Sequence, residues 1–132
     1  MVEYKYKLNL NLKNKKVFIS GSTKGIGYET AKLFLDEGAL VIINGRTKYS
    51  VDNALSKLNN KNASGIITDF LDDSQVEKLI VEIPDDIDIL INNAGIAGPS
   101  FKTWEYPLDQ WQNVIDIDLT GLFYCCRSVV PH

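Results

Sequence analysis

The chain has 132 residues, of which 45% are hydrophobic and 23% charged, and its formal net charge is −3. This is ordinary globular composition at the size of one domain, which argues against a disordered chain and against a multidomain array. No basic patch stands out beyond Lys13, Lys15 and Lys16, so nucleic acid is excluded as an expected partner.

Residues 1–14 are polar and rich in Asn and Lys, and read as an extension with a short extended piece from Tyr4 to Leu10. They lack the continuous apolar core of a signal peptide. No later segment approaches the roughly 20 apolar residues of a membrane span. A cytoplasmic protein with no membrane partner is therefore expected. From Lys15 onward, strands and helices alternate. Val17 to Ser20 is the first strand. A helix runs from about Gly25 to Glu37 with Ile26, Thr30, Ala31, Phe34 and Leu35 on one face, and Gly38 closes it as the C′ residue. Leu40 to Ile43 is a short, continuously apolar strand, as in a buried parallel sheet. Val51, Ala54, Leu55 and Leu58 mark the next helix. Gly65 to Thr68 is the third strand. Ser74-Gln75-Val76-Glu77 reads as a capping box, opening a helix through Val76, Leu79, Ile80 and Ile83 that stops at Pro84. Ile87 to Ile91 is the fourth strand. A loop rich in Asn, Gly and Pro extends from Asn92 to about Pro107. A long helix then carries Trp111, Val114, Ile115, Leu119, Leu122, Phe123 and Cys126 on one stripe. Its adjacent Cys125 and Cys126 give no disulfide framework, and the single histidine, His132, leaves no metal-ligand spacing, so no metal is expected.

Strands alternating with amphipathic helices predict an α/β fold, a parallel sheet wound by right-handed crossovers. Four strands correspond to the first half of a Rossmann-type doubly wound sheet plus one strand of the second half. Residues 15–132 thus read as a partial dinucleotide-binding domain, truncated after the fourth strand and its long helix.

The stretch Gly21-Ser22-Thr23-Lys24-Gly25-Ile26-Gly27 joins the first strand to the first helix. Such a loop presents backbone N–H groups and a helix N-terminus to a phosphate. In that role Gly21 permits a tight turn, Gly25 lets the backbone approach a pyrophosphate, and Gly27 allows close helix–strand packing. The bland alternative is a glycine-rich turn with no ligand. At the end of the second strand, where an NAD binder carries an acidic residue, the sequence reads Asn44-Gly45-Arg46. Arg46 offers a planar, doubly donating cation to a 2′-phosphate, and Lys24 could reach the same group. The missing acid and the two cations favour NADP over NAD, against the alternative of two solvated surface cations. Asp69, at the end of the third strand, either accepts the adenine amino group or is a turn residue. Asn92-Asn93-Ala94-Gly95, at the carboxyl end of the fourth strand, could tie neighbouring loops together and leave room for a ribose; read structurally, it is only a turn. Asp118 alone breaks the apolar stripe of the long helix. A carboxylate there is paired or functional, satisfied by backbone donors, or on a stripe bordering a cleft. Gly121 in the same helix points to close packing with another element.

Together Ser20 to Gly27, Asn44-Gly45-Arg46, Asn92-Asn93-Ala94-Gly95 and Trp111 through Phe123 resemble the N-terminal half of a short-chain dehydrogenase/reductase. The resemblance implies cofactor contacts at Gly21, Ser22, Thr23, Lys24, Gly25, Ile26, Gly27, Arg46, Asp69, Asn92, Ala94 and Gly95. It implies hydride transfer between a nicotinamide and a small-molecule alcohol or carbonyl. It places Asp118 where the family has a catalytic Asn, and it puts the family's Ser and Tyr-x-x-x-Lys beyond His132. Tyr28-Glu29-Thr30-Ala31-Lys32 spells the last motif, but directly behind the glycine loop, on a helix whose Ile26/Phe34 face is expected to pack on the sheet. The 132-residue chain alone is accordingly expected to be inactive. A completing C-terminal half or a homo-oligomer through the long helix is the expected partner. The alternative is a non-catalytic nucleotide-binding or interaction module derived from the family. A methyltransferase-like Rossmann binder is a third reading; it would need neither both cations nor Asn-Asn-Ala-Gly. In the loop from Ile96 to Pro107, Trp104 and Tyr106 either line a substrate site or anchor the loop.

Overall fold

The computed structural model describes residues 9–131. Most of the expected extended piece from Tyr4 to Leu10 lies outside them, as does His132. The strands are β1 (Lys16–Ile19), β2 (Leu40–Gly45), β3 (Ala63–Ile67) and β4 (Ile89–Ile91). They form one parallel sheet in the order β3-β2-β1-β4. The helices are α1 (Gly25–Asp36), α2 (Lys48–Leu58), α3 (Asp73–Glu82), α4 (Leu108–Ile115) and α5 (Gly121–Val129). This is the doubly wound α/β arrangement. The strand bounds differ from the expected ones by one or two residues at most ends, where apolar character and ladder pairing do not stop together.

The core has two layers because side chains alternate across a strand. Val17 and Ile19 of β1 join Val41 and Ile43 of β2 on one face, under Ala31 and Leu35 of α1 and Val51 and Ala54 of α2. Phe18 and Ile42 point to the other face, under Val76 and Leu79 of α3, its C-cap residue Ile83, and Cys125 and Val129 of α5. Phe18 sits in the middle of the register, opposite Ile42 on one side and Leu90 on the other. Burying each such side chain contributes about 1.5–3 kcal/mol.

Helix ends follow local chemistry. Gly38 ends α1 at φ +83°, and the bonds Gly38 N–H to Leu35 O (2.9 Å) and Ala39 N–H to Phe34 O (3.0 Å) form a Schellman motif. Thr47 caps α2 by accepting from Ser50 N. The cap of α3 lies upstream of the expected box: Asp72, not Ser74, accepts from the Ser74 and Gln75 amides, while Gln75 Nε2 donates back to Asp72 at 2.9 Å. The carboxylate outcompetes the Ser74 hydroxyl, which itself donates to Asp72. These bonds, the Ser74 side chain first, lower the Asp72 pKa.

Two expected faces are corrected. In α1 the buried residues are Gly27, Ala31 and Leu35, four apart along one face, while Ile26 in the first turn lies off that face and is 81% exposed. Tyr28 and Phe34 pack at the margin of that core. The long helix is broken by a π turn over Asp116–Thr120, which separates α4 from α5. The face that meets the protein is Ile117, Gly121, Cys125, Ser128 and Val129. Trp111, Leu119, Leu122 and Phe123 stay exposed. Small residues win the buried side because α5 approaches closely: a Cβ on Gly121 would lie 3.0 Å from Phe70 Cγ. Burial pushes the Cys125 thiol up to about 12, with Cys126 adding to the shift and Ser20 opposing it.

The sheet is clipped at its amino end. Asp88 accepts from Lys15 Nζ at 2.7 Å and from the Lys16 amide at 2.9 Å, and its own N–H donates to Lys16 O at 2.9 Å. Lys16 also pairs with Asp86. The Lys15 bond, then the Lys16 amide, holds the Asp88 carboxyl below its ordinary value of 3.8. A depressed carboxylate contributes stability above its unfolded pKa and loses it as pH falls through the folded one. We therefore expect Asp88→Asn to destabilise the fold at neutral pH. Its unfolding midpoint should converge on that of the natural chain as an acid titration passes below pH 3.8.

Candidate functional site

Ligands of open α/β sheets bind outside the carboxyl ends of the strands, where the strand order reverses. Here that point lies between β1 and β4, which run side by side and whose following loops diverge. The two loops are laced together. Ser20 Oγ accepts from the amides of Asn93 and Ala94, each at 3.0 Å. Asn93 Nδ2 donates to Ser20 O at 3.1 Å and to Gly21 O at 2.9 Å. The Ser20 amide donates to Ile91 O at 3.1 Å. Of the two consecutive amides, Asn93 therefore makes the tie. Asn92 is exposed, and its Nδ2 lies 3.5 Å from Cys126 Sγ.

The glycines have separate jobs. Gly21 is at φ +60°, and a Cβ there would lie 2.7 Å from Ala94 Cα, so the loop crosses β4's continuation with no room for a side chain. Gly27 faces the Asn93 amide and the Gly21 carbonyl, so its close packing is with the loops rather than with a strand. Gly25 is at φ +59° with nothing within 4 Å of an added Cβ, so backbone is open to solvent there. The N-cap of α1, Lys24, makes no side-chain cap bond, and the first turn holds no acidic residue. The first N–H groups of α1 are thus available to an anion.

A second lace joins β1 to β2. Asn44, 1% exposed, accepts from the Gly21 amide through Oδ1 at 3.0 Å and donates to Ile66 O at 3.3 Å. Ser22 is fully buried: its hydroxyl donates to Ile19 O (2.6 Å) and accepts from Asn44 N (2.9 Å), and its amide donates to Asn44 O (2.8 Å). Ser22, expected as a cofactor contact, has its donors spent inside the loop; it shapes the site from beneath. Asn44 and Ser20 were not among the expected site residues. Their signal is a polar residue directly after an apolar run, at or just past the end of the strand, which is legible only once the strand ends are known.

The remaining residues spread over the rims. Thr23 is half-exposed and touches the end of β2: a Cβ on Gly45 would lie 2.5 Å from its Cγ2. Lys24 and Arg46 are exposed, and neither forms an ion pair among the described residues. Asp69 is half-buried, and its Oδ1 accepts from the Leu71 amide at 3.0 Å, so one oxygen serves a turn. Asp118 does not interrupt a buried face. It lies exposed in the π turn, and its Oδ1 accepts from the Ile96 amide at 2.8 Å, so it fastens the loop after Gly95. Tyr106 anchors the next stretch by edge-on contacts with Phe101 and Trp111, at centroid distances of 6.1 and 6.3 Å. Trp104 is 80% exposed beneath Lys102. Tyr28 and Lys32 line a small hollow of about 160 Å³ with Leu58 and Asn60, between α1 and the end of α2. Among the described residues no cluster of His, Cys, Asp or Glu could hold a metal ion, and no helix is long and apolar enough to cross a membrane.

The lacing of β1 to β4 is open to test. Ser20→Ala leaves two loop amides without their acceptor and should cost about 1–3 kcal/mol in chemical denaturation. Asn93→Asp should cost more than Asn93→Ala, because a carboxylate oxygen would face the Ser20 and Gly21 carbonyls that the amide now donates to.

Comparisons with known proteins agree with this geometry. The sequence profile of the short chain dehydrogenase family matches residues 15–132. An uncharacterized oxidoreductase of Bacillus subtilis (strain 168) is 36% identical over 125 residues, covering 91% of this chain and 46% of the relative. The meso-2,3-butanediol dehydrogenase of Serratia marcescens is 33% identical over 124 residues, covering 90% and 48%. A solved Pseudomonas aeruginosa RhlG/NADP active-site complex superposes with a TM-score of 0.81 at 26% identity, covering 91% of this chain and 48% of that one. The chain spans about half the length of the curated relatives it matches. It belongs to the short chain dehydrogenase family of oxidoreductases.

Proposed function

We propose that this chain is the coenzyme-binding half of an NADP-dependent oxidoreductase acting on a small-molecule alcohol or carbonyl in the cytoplasm. The observation that carries the coenzyme choice is the end of β2. Asn44 is buried and spent on the loop, no carboxylate is there to meet a ribose hydroxyl, and Arg46 stands exposed beside it. The bound NADP complex among the similar structures is in keeping with this.

The residues present fit such a group. The open backbone at Gly25 and the uncapped start of α1 suit a pyrophosphate. Lys24 and Arg46 supply charge for a 2′-phosphate, and the free side of Asp69 suits an adenine amino group. Asn92, Ala94 and Gly95 border the space for the second ribose. When bound, the nicotinamide supplies or receives the hydride. The chain's own contribution is to hold and orient the coenzyme on a rigid, cross-laced rim, with Asp118 fastening the loop beside it.

Expected affinities follow from charge. Arg46→Ala removes a charge-assisted contact and should weaken NADPH binding about 10- to 100-fold while changing NADH binding little. Lys24→Ala should act in the same direction. Thermal unfolding with each coenzyme reads this out, since a ligand of the native state raises the midpoint. Equal responses to NADPH and NADH in the natural chain would sink the NADP assignment.

Catalysis by the 132 residues alone is not expected. The family's general acid is a Tyr in a Tyr-x-x-x-Lys motif, and the one such string here lies in α1, away from the β1–β4 crevice. The exposed row of Trp111, Leu119, Leu122 and Phe123 suits a partner surface, either a completing C-terminal half or a second copy. The second reading, a nucleotide-binding module without chemistry, is favoured by Asp118 at the family's Asn position. Purified chain should show no NADPH-dependent reduction of a ketone panel. Turnover recovered by adding a separately expressed C-terminal half supports the enzyme, and binding without recovery supports the module.

A further inference from the structure

Asp118 is exposed in the π turn and hydrogen-bonded to the Ile96 amide. A methyl group on Gly95 would lie 3.4 Å from Oδ1 and 3.9 Å from Oδ2, so both oxygens border the stretch that follows β4. That stretch is one wall of the β1–β4 crevice. No Lys or Arg pairs with Asp118 among the described residues. An amide at this position would accept the same hydrogen bond. What the carboxylate adds is one negative charge on the β4 wall, whereas Lys24 and Arg46 stand on the loops after β1 and β2.

On the coenzyme reading above, we propose that Asp118 sets the preference of this site between the redox forms of a nicotinamide coenzyme, favouring the oxidised form. The two forms carry the same phosphates and riboses. They differ at the ring, which is a cationic pyridinium when oxidised and a neutral dihydropyridine when reduced. A fixed negative charge on the wall attracts the first and not the second. Tighter binding of the oxidised form lowers the reduction potential of the bound couple, by about 30 mV per tenfold preference for two electrons. The equilibrium on the protein then tilts toward delivery of hydride to a carbonyl carbon, with a proton going to its oxygen. Asp118 acts here as a specificity-determining charge.

The test is a pair of dissociation constants, for oxidised and reduced NADP, measured by calorimetry on the natural protein and on Asp118→Asn. The variant keeps an acceptor for the Ile96 amide and loses only the charge. The ratio of reduced to oxidised constants should fall about three- to tenfold in the variant, and the natural ratio should shrink as salt is raised. Asp118→Ala, which loses the acceptor as well, should show the same change of ratio. An unchanged ratio with both forms still bound overturns the proposal and leaves the coenzyme reading standing. A change in the Ala variant alone traces to loop rearrangement and also overturns it. Binding of neither form by the natural protein overturns both readings.

Discussion

β4 takes its place on the far side of β1 from β2, and its register with β1 covers only Val17, Phe18 and Ile19. Three residue pairs of backbone ladder do not by themselves keep two diverging loops in contact. The bonds from Ser20 and Asn93 do, at the point where the ladder ends. Ser20 is 2% exposed, so its hydroxyl works where a lost partner is costly. The crevice depends on this lace. Without it the glycine loop and the Asn92–Gly95 loop have no fixed relation, and whatever binds between them meets no preformed wall.

The lace in turn demands glycine. Gly21 must run under Ala94, and Gly27 must leave space for the Asn93 amide that reaches the Ser20 and Gly21 carbonyls. Two of the three loop glycines are therefore consumed by packing. Only Gly25 keeps its freedom for the outside, with a left-handed backbone and open space. Asn44 and Ser22 repeat the device on the β2 side, exchanging bonds with each other and with Gly21. The glycine loop is thus held from both flanks by buried polar groups whose bonds are spent on the loops, which is how a surface gains preorganisation from residues beneath it.

The alternation of strands and helices was legible in the sequence because β1, β2 and β4 carry continuous apolar runs and each helix before the last shows apolar spacing. The last helix misled. Its most hydrophobic stripe, Trp111 through Phe123, lies outward, and its buried side is built from Ile117, Gly121, Cys125 and Ser128. Periodicity measures hydrophobic strength, while burial there was decided by how close α5 comes to Phe70. The π turn was equally invisible, since no residue type announces it. The glycine loop after β1 and the Asn-Asn-Ala-Gly run after β4 could be placed from residue type and spacing. Ser20, Ser22 and Asn44 could not be sorted into ligand-facing and structural roles, because that depends on which way each side chain points once the strand ends. The Asp72 cap shows the same limit: two acceptors two residues apart compete, and geometry chooses.

The distribution of charge around the crevice follows from these constraints. Buried positions at the loop bases are filled by neutral amides and hydroxyls, which satisfy backbone groups without the desolvation cost of an ion. Ions are left to the rims, where among the described residues Lys24 and Arg46 form no ion pair and Asp118 is bonded to a backbone amide. A rim charge that no neighbour neutralises is weakened by solvent screening alone. Cations stand on the loops after β1 and β2, and a carboxylate borders the loop after β4, so charges of opposite sign occupy different loops at the carboxyl end of the sheet. The same arrangement explains why the fold tolerates a carboxylate in the π turn. Exposure keeps Asp118 solvated, and the Ile96 amide gives it a directional bond that an apolar residue could not make.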